Sequence, residues 1–220
     1  MHTVKVGVLA VAVGLAVAGC ASMSPTSGTG FFVTSTGAGK GADLGGLAGA
    51  DKHCQTLAAA AGLGSREWRA YLSNSASGST SAVNARDRIG AGPWKNVNGV
   101  VVATNVGELH AANNITKQTA LTEKGAVVNG RGDTPNQHDV LTGTQPDGSA
   151  FPGTDDKTCG NWTKSGEGAA MVGHIDRQGL PTSPLAEATS WNSSHLSRGC
   201  SQPNLVSTGG AGLLYCFAAK

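Results

Sequence analysis

The sequence predicts one α+β domain behind an N-terminal leader, on three observations. Residues 31–33, 68–72, 100–103 and 213–217 are short apolar or alternating runs that read as strands. Leu47, Ala50, Cys54, Leu57 and Ala61 recur at steps of three and four, the helix period. The length of 220 residues, with 39% hydrophobic side chains, suits a single core. Aromatics make up only 5%, so that core is built largely of Ala, Val and Leu.

The leader comes first. Lys5 precedes an unbroken apolar run over residues 6–18, the layout of an export signal. Thirteen residues fall short of the about twenty needed for a membrane-spanning helix. The run closes on Val17, Ala18, Gly19 and Cys20, which resembles the bacterial lipobox. That resemblance implies cleavage after residue 19, a diacylglycerol on the Cys20 thiol, and a stable membrane anchor, because several acyl chains bind far more firmly than one. Ala21, in place of Asp, implies sorting to the outer membrane of the bacterial cell envelope. Residues 20–30 then form the lipidated cysteine and a flexible tether, and residues 31–220 the domain. An alkyne fatty acid fed to cells should label the wild type and not Cys20→Ala; equal label in both, or in neither, contradicts the anchor.

In the strand at 31–33, Gly30 and a Gly-rich loop bound the apolar residues, and Gly62 and Gly64 stop the helix that follows. Trp68, Ala70 and Leu72 alternate with Arg69, Tyr71 and Ser73, a half-buried strand. Residues 105–210 are rich in Gly, Asn, Thr, Ser and Asp with little periodicity. Trp162, Trp191, Cys159 and Cys200 within that stretch favour ordered loops over disorder. With Cys20 assigned to lipid, four cysteines remain in an exported chain, so two disulfides are expected, in any of three pairings. A cysteine-based zinc site has no support, since no CxxC is present.

Several motifs fail on their own chemistry. TGAGKGAD over residues 36–43 lacks the glycine and hydroxyl a phosphate loop needs, having Thr34 and Gly41 at those positions. No serine sits in a GxSxG elbow. Asp155, Asp156, and Asp176 near His174, carry no spacing that marks catalysis, and Arg131, Gly132 and Asp133 read as a turn. Sixteen basic against fourteen acidic side chains argue against nucleic-acid binding driven by charge.

Residues 31–73 run strand, glycine loop, GADLGGLAGADKHCQTLAAAAGLG and WRAYLS. This resembles the opening of the endostatin domain of collagens. LTGTQPDGSAFPGTDDKTCGNW over residues 141–162 is similar to the endostatin passage leading to a Cys-x-x-Trp. Cys200 and the final Leu214, Tyr215, Cys216 and Phe217 correspond to that domain's third and fourth cysteines. The likeness covers nearly all of the chain after residue 30 and extends to bacterial exported proteins grouped loosely as lectins. It implies the C-type-lectin-like fold: a curved antiparallel sheet with paired termini, two helices and a long-loop region bearing ligand sites. It also implies nested disulfides, Cys54 with Cys216 and Cys159 with Cys200.

Galactose-type members of that fold read Gln-Pro-Asp before the second cysteine and Trp-Asn-Asp before the third. Here Gln145, Pro146 and Asp147 precede Cys159, and Trp191 and Asn192 precede Cys200. The resemblance thus makes Gln145, Asp147 and Asn192 calcium candidates. Thr158 and Ser193 stand where carboxylates are expected, and Ca²⁺ wants six to eight oxygens, so calcium binding is expected to be weak or absent and no cofactor is assigned. The candidate ligand-binding residues are Gln145, Asp147, Trp162, Trp191, Asn192 and His195, since sugar sites use aromatic faces and amides. The leading expectation is a lipid-tethered lectin-like module, not an enzyme, that holds a glycan or other surface polymer. A protein-binding adhesive or structural lipoprotein is the alternative, and an enzyme using residues 174–195 comes third.

Overall fold

The computed structural model describes residues 1–2, 28–179 and 186–219; the leader, Cys20 and most of the expected tether lie outside them. Eight strands and four α-helices follow in order: β1 (Phe31–Val33), α1 (Gly46–Ala60), β2 (Trp68–Ala70), β3 (Trp94–Lys95), β4 (Val101–Ala103), α2 (Val106–Leu109), β5 (Asp139–Leu141), α3 (Cys159–Trp162), β6 (Met171–His174), β7 (His195–Leu196), α4 (Gln202–Val206) and β8 (Gly210–Ala218). The class is α+β. Among the described residues no helix is long and apolar enough to cross a membrane.

Everything is organised on β8. Its residues alternate strictly between two cores: Leu214, Cys216 and Ala218 face one, and Leu213, Tyr215 and Phe217 the other. A strand covered on both faces reads as a continuous apolar run, which is why GAGLLYCFA looks as it does. β1 pairs antiparallel along one edge, with Phe31 opposite Phe217. The other edge carries β2, antiparallel opposite 216–218, and then β5, parallel opposite 210–214. β6 and β7 extend the sheet beyond β5, and β3 with β4 forms a separate two-stranded ribbon.

Helix α1 lays Ala50, Cys54 and Ala58, one residue per turn, on the first core. The Asp51 carboxylate fixes its height against the sheet by accepting from Ala70 N at 2.9 Å and pairing with Arg88 at 2.6 Å. Disulfides join Cys54 to Cys216 and Cys159 to Cys200. The outer bridge ties α1 to β8, and the inner one closes the loop region on itself.

The turn α3 is left-handed: Cys159, Gly160, Asn161 and Trp162 all have positive φ. Of these four consecutive positions, the three with a Cβ bear the cost of a left-handed backbone, and only Gly160 escapes it. The surroundings hold the turn from every side. Asp156 accepts from Gly160 N, the Thr158 hydroxyl accepts from Asn161 N, the indole of Trp162 donates to Ser73 O at 2.8 Å, and the disulfide anchors Cys159.

Three expectations need correction. The domain begins before residue 31, because Thr29 is buried and bridges Lys95 while Gly30 O accepts from Ala218 N at 2.9 Å. The sheet is mixed, since β5 and β8 lie parallel, and the long stretch of chain between them, residues 142–209, supplies the crossover that a tight hairpin could not. Instead of two helices, the described residues hold one α-helix of fifteen residues, α1, and three single turns of four or five, α2, α3 and α4.

Candidate functional site

Of the six residues expected to meet a ligand, four are turned into the protein or into its loops. Trp162 is wholly buried in the first core. Trp191 is 4% exposed and packs on Tyr71 and Tyr215, with ring centres 4.9 and 5.3 Å away. Neither offers a face to a sugar, because the scarcity of aromatics puts both tryptophans to work as core filling. Asn192 is 1% exposed; its amide nitrogen donates to Tyr71 Oη and to the carbonyls of Gln145 and Pro146. Gln145 spends its own amide nitrogen on Ser149 and Ala150. Asp147 is exposed, but its carboxylate accepts from Ser149 N and Oγ and pairs with Arg86 at 3.5 Å. The 145–149 turn is thus stapled to the 190–193 segment by side chains facing inward.

The sixth residue, His195, leads elsewhere. β6 pairs antiparallel with both β5 and β7, so Asp139 lies opposite His174 and Val172 opposite His195. Positions 172 and 174 share a face, as alternate residues of a strand must. His195 therefore meets the end of β5, and three of the chain's six histidines gather around one carboxylate. Nε2 of His138 and Nε2 of His174 each lie 3.2 Å from Asp139 Oδ1, and Nε2 of His195 lies 3.6 Å from it. Gly173 makes this possible: a Cβ there would come within 1.8 Å of Trp191 O, so only glycine lets the 190–193 segment lie against β6. Gly209, with φ +105°, likewise leaves room for the His138 ring, 3.1 Å from where a Cβ would sit.

The other ring nitrogens are all engaged. Nδ1 of His138 meets Asp176 Oδ1 at 3.1 Å, Nδ1 of His174 meets Ala188 O at 2.8 Å, and Nδ1 of His195 meets Leu196 O at 3.0 Å. Each of these partners accepts, so Nδ1 donates to it and Nε2 of every ring is turned toward Asp139. The three Nε2 approaches do not have the alignment of hydrogen bonds. Both oxygens of Asp139 and Nε2 of His174 are buried and have no hydrogen-bond partner.

Charge follows the same geometry. Burial disfavours the Asp139 anion, but the adjacent imidazoles of His174 and His195 prevail and hold its carboxyl below the ordinary value. Burial also opposes Asp176, yet His138 and the backbone N–H groups of Arg131 and Gln178 bring it down to about 2. Asp139 in turn raises His195 against its partial burial.

The cluster forms the floor of a cavity of about 820 Å³, within the size range of small-molecule sites. Arg131 and Arg198 stand in its wall, with Leu196 and Val206, both exposed, on its rim. Arg131 is positioned by its own N–H, which donates to Asp176 at 2.6 Å. Among the described residues, no carboxylate pairs with either guanidinium. His138, Asp139 and His174 place metal-ligand atoms within 4.8 Å of one another. The sequence held a partial signal, the His138–Asp139 dipeptide and the His174–Asp176 proximity, but only strand register assembles it. No protein-family model matches this chain. No curated protein matches it either.

Proposed function

We propose that the chain is an exported, lipid-anchored binding module of C-type-lectin-like architecture that holds an anionic glycan or other anionic surface polymer in the histidine-floored cavity. The observation that carries this reading is the pair of guanidinium groups in the cavity wall that, among the described residues, have no carboxylate partner. An arginine free of an internal partner is suited to bidentate capture of a carboxylate, sulfate or phosphate. Leu196 and Val206 supply apolar contact beside that charge. Trp68, Trp94, Trp162 and Trp191 are all buried, which takes away the stacking platforms a neutral-sugar lectin uses. The anchor through Cys20 and the lectin-like architecture rest on the sequence resemblances and are part of the proposal.

An array of sulfated, carboxylated, phosphorylated and neutral glycans, probed with the full chain, tests it. Binding is expected on the anionic members, weakened about tenfold or more in Arg131→Ala/Arg198→Ala, a loss of about 1.4 kcal/mol or greater. It should survive Asp147→Ala. Selective binding to neutral sugars, or anion binding indifferent to both arginines, contradicts the proposal.

A further inference from the structure

We infer that His138, Asp139 and His174, with His195 beside them, form a site for one divalent transition-metal ion of the zinc class. The inference stands apart from the anion reading: it concerns the floor of the cavity, and the arginines belong to its wall.

The donor set is the first ground. Two or three imidazoles and one carboxylate suit zinc and its first-row neighbours, whereas Ca²⁺ and Mg²⁺ prefer all-oxygen shells. The second ground is separation. Two ligand atoms of one tetrahedral zinc ion, each about 2.0–2.1 Å from it, stand about 3.3 Å apart. Asp139 Oδ1 lies 3.2 Å from Nε2 of both His138 and His174, and 3.6 Å from Nε2 of His195.

Orientation is the third ground. Metal-binding histidines pass their second N–H to a carboxylate or backbone carbonyl, which fixes the tautomer. Asp176, Ala188 O and Leu196 O do this for His138, His174 and His195 respectively. The fourth ground is polar accounting. Both Asp139 oxygens and His174 Nε2 are buried without hydrogen bonds, an arrangement costly for polar groups unless something else satisfies them. A cation among them satisfies all three atoms, and the cavity gives it an entry path.

One adjustment is required. The rings of His138 and His174 are stacked, 4.1 Å apart and 11° from parallel. An ion lying in both ring planes needs one ring to turn about its Cβ–Cγ bond. His174 and His195 already meet at 64°.

Calorimetric titration of the tag-free full chain, stripped of metal, with Zn²⁺ alone tests the site. One ion per chain is expected, with affinity at least about tenfold weaker in Asp139→Asn and in His174→Ala. Asp176→Asn, which alters a positioning residue, should cost about 10–100-fold. His53→Ala, on helix α1, should leave the affinity unchanged. Circular dichroism identifies which variants are folded. Where a variant does not fold, zinc-edge X-ray absorption of the wild type decides, and imidazole scattering in the first shell supports the site. No saturable binding by the folded wild type, folded Asp139→Asn and His174→Ala proteins that bind as the wild type does, or an all-oxygen shell would overturn it.

Discussion

Replacing Cys54 and Cys216 together by alanine is expected to destabilise the domain by about 5 kcal/mol in the chain-entropy account of cross-linking. The bridge spans 162 residues, and a loop of that size gives the unfolded chain much of its freedom back when cut. The inner bridge, spanning 41 residues, is expected to contribute about 4 kcal/mol by the same reasoning. Location sharpens the contrast, because Cys54 joins α1 to β8, the strand on which both cores are built. Domains of ordinary stability hold about 5–15 kcal/mol in total, so loss of the outer bridge removes a third of that or all of it. Urea denaturation of the two double variants, followed by circular dichroism, gives the values. A larger loss from Cys159→Ala/Cys200→Ala would place the greater share of the constraint in the loop region instead.

Trp191→Ala is expected to cost about 3–5 kcal/mol, the range for truncating a large buried aromatic. Its ring sits among Tyr71, Tyr215 and His110, and its carbonyl accepts from Tyr215 Oη at 2.8 Å. For a domain of this size the loss corresponds to roughly 6–20 °C in melting temperature. Binding to anionic glycans by the molecules that remain folded should be unaltered. An unchanged melting temperature with lost glycan binding would return Trp191 to the role of a ligand face.

Those two residues also show where sequence reading succeeds and where it stops. The Cys54 helix was legible because its apolar residues follow the helix period, and Cys54 faces the core as that period requires. β8 was legible because burial on both faces leaves an unbroken apolar run. β5, β6 and β7 were not, since they span three, four and two residues and carry Asp139, His174 and His195 at the positions that would otherwise show alternation. Polar residues placed for a site erase the pattern that reveals the strand beneath them.

The site itself was legible only in fragments. His195 was among the expected ligand residues, but grouped with Trp191 and Asn192, its near neighbours along the chain. Pairing of β6 with β5 and β7 moves it instead to Asp139, more than fifty positions away. No local spacing encodes that meeting, because register depends on partners brought together by the whole fold. Trp162 and Trp191 misled for a compositional reason. In a chain with only 5% aromatics, an indole is needed as filling before it can be spared for a surface.

Ligand recognition is proposed to belong to the cavity floored by His138, His174 and His195 and not to the loop of Gln145, Asp147 and Asn192. Backbone NMR of the ¹⁵N-labelled full chain in detergent micelles, titrated with a sulfated oligosaccharide, tests this most directly. Shifts are expected at Arg131, His138, His174, His195, Arg198 and Thr208, with residues 144–149 unmoved. Shifts confined to residues 144–149 and 190–193 would contradict it.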